Sequence, residues 1–138
     1  MYQQWAAKRR MRLQVLEEVF IADSPPHFFL ASVTGFGSFS ILNSENGLHL
    51  FEVPKEDNKT FHRHSVRVSV VPQPNVPAQG QTALLEQARR CFSEFRPSET
   101  KVVRRYRDKP SPLVRDQDGN WRTGRIDRVL NGDFDLFD

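Results

Sequence analysis

Hydrophobic and polar positions alternate most regularly over residues 48–53 and 65–71. In the second stretch, Val66, Val68 and Val70 occupy every other position and so share one face of an extended chain. A period of two is typical of a β-strand with one buried face. Residues 12–20, 28–34 and 101–107 combine β-branched and aromatic residues in a similar way, which brings the number of predicted strands to five.

Helical periodicity is strongest over residues 82–95, where apolar and small side chains recur every three to four positions. On a helix they would form a single stripe along one face. The stripe consists of Leu84, Leu85, Ala88, Cys91, Phe92 and Phe95. Shorter helices are predicted over residues 1–12, 38–42 and 126–130, while the polar residues 54–64 predict a mobile loop.

Together these elements predict a single α+β domain. Its five strands would share one mainly antiparallel sheet, with a short helix after the second strand and further helices packed on the sheet. Pro72, Pro74 and Pro77 predict a linker ahead of the long helix, because proline cannot donate to a central strand. We expect the apolar stripe of that helix to be buried against a face of the same sheet.

With 138 residues, the chain is long enough for one hydrophobic core but not for two. It has no apolar run close to the roughly 20 residues of a membrane span, and its N-terminus does not resemble a signal peptide. We therefore expect a cytoplasmic location without membrane contact. The single cysteine, Cys91, excludes a disulfide within the chain and a zinc site built from cysteines.

Positive charge is clustered along the chain. Twenty Lys and Arg against 17 Asp and Glu give a net charge of only +3, yet arginines gather within residues 104–107 and 122–128. Arginine binds phosphate with two parallel hydrogen bonds and stacks on bases, so these clusters favour an RNA partner. A solvated charged surface is the alternative interpretation. Residues 61–64 add aromatic and imidazole rings beside an arginine, the usual chemistry of single-stranded RNA recognition.

No catalytic or cofactor-binding motif stands out. His62 and His64 lack a third metal ligand nearby in the sequence. The glycines Gly35 and Gly37 lack the third glycine and the lysine of a phosphate-binding loop. The sequence therefore predicts no enzyme activity, no metal or other cofactor and no small-molecule substrate. A protein-interaction module is the competing functional class.

Several short motifs occur in a fixed order along nearly the whole chain. Residues 1–9 contain Met-Tyr-x-x-Trp-Ala-x-x-Arg, and residues 35–49 are similar to Gly-x-x-Ala-x-x-x-Leu-x-x-Glu-x-Gly-x-His. Residues 63–65 are Arg-His-Ser, followed later by Arg-Thr-Gly at 122–124 and by a terminal segment at 129–137 similar to Val-Leu-x-Gly-x-Leu-Asp-x-Phe. In this order the motifs resemble the bacterial class I peptide chain release factors, most closely the member that reads UGA and UAA.

The resemblance implies a composite codon-recognition domain, in which the last strand and helix return to the first sheet after an inserted catalytic domain. Residues 1–71 would form its first part and residues 100–138 its second. Residues 72–99 would replace the inserted domain, whose Gly-Gly-Gln tripeptide positions water on peptidyl-tRNA in the family. No Gly-Gly-Gln occurs in this sequence, so the resemblance implies that peptidyl-tRNA hydrolysis is absent.

Two further positions bear on codon reading. The family's Ser-Pro-Phe specificity tripeptide falls on Lys55, Glu56 and Asp57, whose two carboxylates would repel RNA phosphates. His64 matches the family histidine that stacks on stop-codon bases. Ser65 keeps the neighbouring hydroxyl of the family's Arg-His-Thr motif.

The favoured function is a release-factor-like module that binds RNA or the ribosome, without peptidyl-tRNA hydrolysis and without stop-codon specificity. Its candidate contacts are Arg63, His64, Ser65, Arg104, Arg105, Arg122 and Arg125. The alternative is a protein-interaction adaptor appended to a larger machine such as a Clp-type chaperone ATPase. The first helix supports that alternative, because no capping residue precedes Met1, as expected where a longer parent chain begins the helix earlier.

Overall fold

A computed structural model of the chain describes residues 1–23, 26–95 and 101–137. The helices are α1 (Tyr2–Lys8), α2 (Ser38–Leu42), α3 (Gln81–Glu94) and α4 (Ile126–Arg128). The strands are β1 (Arg12–Phe20), β2 (Pro26–Thr34), β3 (Gly47–Pro54), β4 (Phe61–Val68), β5 (Val102–Arg107), β6 (Leu113–Asp116) and β7 (Arg122–Thr123). A 3₁₀ turn, Asn43–Glu45, follows α2, and π and 3₁₀ turns follow α4.

The larger sheet has five strands in the order β4-β3-β5-β6-β7. All neighbours in it are antiparallel except β3 and β5, which run parallel. The predicted α+β class with a mainly antiparallel sheet is therefore confirmed. The predicted membership of that sheet is wrong, because β1 and β2 pair only with each other, in a separate two-stranded sheet. The short β6 and β7, with four and two residues, complete the larger sheet and are too short to show a readable alternation.

The parallel pairing of β3 with β5 joins the two parts of the chain. Leu48 is aligned with Val102 at one end of the pair, and Glu52 with Arg107 at the other. The strand at residues 101–107 thus returns to a sheet begun by the first half, as expected. Gly47 makes the close approach possible, because a Cβ at this position would lie 2.5 Å from the carbonyl oxygen of Lys101.

The loop predicted over residues 54–64 is shorter in the structure, because Pro54 belongs to β3 and residues 61–64 belong to β4. β4 begins at Phe61, and the backbone N–H of Lys55 donates to the carbonyl of Thr60 at 2.8 Å, which closes a hairpin turn. The Asp57 carboxylate accepts the N–H groups of Lys59 and Thr60 at 2.9 and 3.0 Å. The polar side chains of residues 62–64 suggested a loop, but β4 is an edge strand whose residues 62–67 are all exposed, so polar side chains are tolerated there.

The main core lies between the larger sheet and the two ends of the chain. It buries Trp5 of α1 with Tyr106 and Val114 of the sheet and with Val129 and Phe134 beyond the end of α4. Polar contacts reinforce this packing, since the Trp5 Nε1–H donates to the Asp135 carboxylate at 3.0 Å. Lys8 forms an ion pair with Asp133 at 3.0 Å. The first helix is therefore an integral layer of the domain.

Helix α3 follows an irregular segment, residues 69–80, and its main neighbour is β1 of the smaller sheet. Arg89 of the helix pairs with Glu17 of β1 at 2.9 Å. The prediction placed its apolar stripe against a face of a sheet that included residues 12–20. The helix does pack on these residues, but β1 lies in the smaller sheet, and all six stripe residues are only half-buried, so the predicted burial is incomplete. None of the helices in the described parts of the chain is long and apolar enough to cross a membrane.

Gly132 fixes the distance between α1 and the C-terminal turns. Its φ of +97° is unfavourable for other residues, and a Cβ there would lie 2.4 Å from the backbone nitrogen of Trp5. We expect Gly132→Ala to cost about 1–3 kcal/mol for the backbone conformation alone, and more because α1 must move. The free energy of unfolding in urea measures this loss. Gly37→Ala is the control, because Gly37 has a φ of +75° but open space around it; equal losses in both variants would contradict the close-approach explanation.

Candidate nucleic-acid interface

A buried arginine holds the core face of the larger sheet together. Arg104 of β5 is only 3% exposed. Its guanidinium donates to both carboxylate oxygens of Glu45 at 2.7 and 3.0 Å, and to Asp116 of β6 at 2.8 Å. The prediction of Arg104 as an RNA contact is therefore wrong, because its hydrogen-bonding groups are committed inside the fold.

The two carboxylates around Arg104 have further donors. The Tyr2 hydroxyl donates to Glu45 at 2.8 Å, and the backbone N–H of Gly119 donates to Asp116 at 2.6 Å. Burial would lower the pKa of Arg104, but the neighbouring Tyr106 and Glu45 outweigh it and raise that pKa, so the guanidinium stays charged. Burial, together with Glu45, raises the pKa of Tyr2 and keeps its hydroxyl protonated. The network is thus a charged cluster with its lone pairs satisfied.

His49 of β3 joins the same network in its neutral form. Its Nε2 lies 3.0 Å from the carbonyl oxygen of Glu45, which can only accept, so Nε2 carries the proton. Its Nδ1, 2.9 Å from the Tyr106 hydroxyl, then accepts from that hydroxyl, whose oxygen accepts from Arg104 at 3.1 Å. Burial lowers the pKa of His49 below its ordinary value of 6.5, in keeping with this arrangement.

Removal of the Arg104 guanidinium should lower the free energy of unfolding of the domain. We expect Arg104→Ala to cost about 3–5 kcal/mol, because it leaves two buried carboxylates without their counter-charge. Arg105→Ala is the matched control on the next position of β5. Its side chain is 31% exposed and lies 3.9 Å from Glu52, so the expected loss is under about 1 kcal/mol. Urea denaturation compares the two, and similar losses would show that the buried network does not stabilise the fold.

Stability should depend on pH through His49. Because its pKa is lowered in the folded chain, the unfolded chain takes up the proton first as the pH falls. The free energy of unfolding should therefore decrease as the pH is lowered through about 6.5, and this loss should end below the folded pKa. In His49→Gln this part of the decrease should be missing. A variant with the same pH profile as the parent between pH 7 and 5 would contradict the assignment.

Strand alternation gives the larger sheet two different faces. Tyr106 and Val114 are buried on the core side, which places their neighbours Arg105 and Arg115 on the opposite side. The same alternation in β4 puts Arg63 and Ser65 on that opposite side, since Ser65 pairs with Leu50 and Leu50 with Arg105. The side chain stack of Phe51 on Tyr106, 4.6 Å between ring centroids, confirms which positions share the core side.

Six arginines occupy the solvent-facing side of the larger sheet, which we call the arginine face. Two come from β4, two from β5 and one each from β6 and β7: Arg63, Arg67, Arg105, Arg107, Arg115 and Arg122. Four of the seven residues predicted as RNA contacts therefore meet on one surface: Arg63, Ser65, Arg105 and Arg122.

The other predicted contacts lie elsewhere. His64 pairs with Phe51 in the sheet, so it belongs to the core side, where it is exposed because β4 is an edge strand. Arg125 is exposed at the start of α4, outside the sheet. Arg63 and His64, neighbours in sequence, thus point to opposite sides.

The sequence prediction missed Arg67, Arg107 and Arg115. For Arg67 the signal was present, because it follows Arg63 and Ser65 at the same spacing of two residues. Arg107 follows Arg105 in the same way. Arg115 could not be found, because β6 was not predicted and its face was therefore undefined.

Comparisons with known proteins bear on the fold. No family model matches the sequence, and no curated protein matches it significantly. Among the solved structures that do match is RF2 of Thermus thermophilus, a release factor, with a TM-score of 0.63 and 16% sequence identity. The similarity covers 99% of this chain and 59% of that structure. The chain therefore has a release-factor-like fold and spans little more than half the length of this neighbour.

Proposed function

We propose that this chain is a release-factor-like module that binds RNA on the ribosome and does not hydrolyse peptidyl-tRNA. The observation that carries the proposal is the presence of the arginine face on a release-factor-like fold. RNA offers a dense series of phosphates to such a surface. A merely solubilising surface would intersperse both signs of charge.

The finer family assignment is part of the same proposal. We infer kinship with the bacterial class I factors of the UGA- and UAA-reading type from the ordered motifs at residues 1–9, 35–49 and 129–137. The structure gives these segments roles that depend on one another: Trp5 packs beside Phe134, with ring centroids 5.9 Å apart, and Glu45 binds Arg104.

Two features support a module without codon specificity and without hydrolysis. Lys55, Glu56 and Asp57 form the tip of the β3–β4 hairpin, where the Asp57 carboxylate is occupied with closing the turn. The sequence contains no Gly-Gly-Gln, and residues 69–80 with α3 stand between β4 and β5. His64 is exposed on the edge strand, on the side of the sheet opposite to the arginine face, so it would stack on a base only where the RNA passes around that edge.

Co-sedimentation with ribosomes tests the binding. We expect the chain to pellet with ribosomes at low salt and to be released progressively as salt rises, because phosphate contacts are weakened by counterions. Failure to pellet at low salt, or binding that salt does not weaken, would contradict an RNA-directed role.

Peptide release tests the absence of hydrolysis. We expect no release of labelled peptide when the chain is added to ribosomes that hold peptidyl-tRNA at a stop codon. A release factor that carries Gly-Gly-Gln serves as the positive control. Release at a rate above that of ribosomes alone would show that the chain is an enzyme.

A protein-interaction adaptor is the second candidate function, and one observation favours it. The far end of the β1–β2 hairpin exposes a group of apolar side chains: Val19, Phe20, Ile21, Phe28 and Phe29. Apolar groups of this kind are typical of protein contacts. Phe20→Ser would weaken a protein complex and leave salt-dependent ribosome binding unchanged, which separates the two functions.

A further inference from the structure

The arginine face extends across the whole larger sheet. β4 and β7 are its edge strands, so Arg63 and Arg122 lie four strand spacings apart, roughly 19 Å. Along β4, Arg63 and Arg67 are separated by about 13 Å of extended chain. A surface of these dimensions can contact several phosphates of one nucleic-acid strand at once.

Charge on this face is almost entirely of one sign. Glu52 is the carboxylate among the strand residues described there, and it lies opposite Arg63 and 3.9 Å from Arg105. Six arginines against this one glutamate give an excess larger than the net charge of the whole chain, +3. The remainder of the chain is therefore net negative, and the positive field is concentrated on the arginine face.

Most of these arginines are free to bind a ligand. Within the described residues, no carboxylate lies within 4.0 Å of the guanidinium groups of four of them: Arg63, Arg67, Arg115 and Arg122. All four are exposed. An incoming phosphate would gain charge-assisted hydrogen bonds here without breaking existing ion pairs.

The face offers little for recognising bases. Phe61 is the one aromatic side chain on it among the described strand residues, and the guanidinium of Arg107 already lies 5.4 Å from the centre of its ring. β3 contributes Leu48 and Leu50, which have no hydrogen-bonding side chains. Base-specific binding needs stacking rings or polar groups at base edges, so the chemistry here favours the backbone.

We propose that the arginine face binds the phosphate backbone of single-stranded RNA without reading base identity. The inference rests on the proposed function and names the surface responsible for it. An extended single strand can follow the sheet across its width. The phosphates of a duplex lie on a curved surface, so fewer of them reach the sheet at the same time. The binding surface is thus the side of the sheet opposite to His64.

Fluorescence anisotropy with a labelled oligouridylate of about 12 nucleotides tests the proposal. Two double variants remove arginines from opposite edges of the sheet: Arg63→Gln with Arg67→Gln, and Arg115→Gln with Arg122→Gln. We expect each to weaken binding by about tenfold. Each should also reduce the slope of log K against log salt by roughly 1.4, because each arginine on a single-strand phosphate contributes roughly 0.7.

The control variant is Arg10→Gln with Arg90→Gln. It removes the same charge from two exposed arginines on other surfaces of the chain, so it should leave the slope unchanged. Oligoadenylate should bind as tightly as oligouridylate to within about threefold, since stacking strength is the main remaining difference. Matching unfolding midpoints would confirm that the variants are folded.

Several results would overturn the inference. These are equal effects of the control and face variants, no binding of the oligonucleotide by the parent chain at low salt, tighter binding of an RNA duplex, or a strong preference for one base. The inference would also be overturned if the face variants bound RNA as tightly as the parent chain but no longer bound an acidic protein. If the face variants still pellet with ribosomes as the parent does, the proposed function stands and the assignment of its surface fails.

Discussion

The remaining structure depends on the ion pairs that the Arg104 guanidinium forms with Glu45 and Asp116. The guanidinium lies between Glu45, which follows α2, and Asp116 of β6, and all three side chains are at most 5% exposed. A buried charge is tolerated only with its partners in place, so this contact sets where α2 and β6 stand relative to β5. The same contact decides the register of the sheet, since a shift by one residue would place Arg105 in the core.

Burying Arg104 has a direct consequence for the surface. Because side chains alternate along a strand, fixing Arg104 and Tyr106 inside forces Arg105 and Arg107 outside. Pairing with β6 and β7 extends this line of arginines to the sheet edge. The buried ion network and the proposed RNA-binding surface are thus two sides of one register, and the core stabilises the geometry that function would use.

The release-factor-like fold depends on contacts between the first and the last parts of the chain. α1 packs on the turns near the C-terminus, and β5 pairs in parallel with β3. A fold whose two parts are joined in this way can accept a long or a short connection between β4 and β5. Here the described part of that connection consists of the irregular residues 69–80 and helix α3. The helix packs on β1 and leaves the arginine face exposed.

The sequence by itself determined the α+β class, helix α3 and the return of residues 101–107 to the sheet, because long periodic patterns and the ordered motifs carry that information. It did not reveal β6 and β7, the separate β1–β2 sheet or the burial of Arg104. Short strands have no readable period, and the choice of strand partners depends on contacts between residues far apart in sequence. An arginine within Val-Arg-Arg-Tyr looks the same whether it faces solvent or two carboxylates. Only the tertiary structure, which brings Glu45 and Asp116 to Arg104, decided which arginine is buried and which are left for a partner.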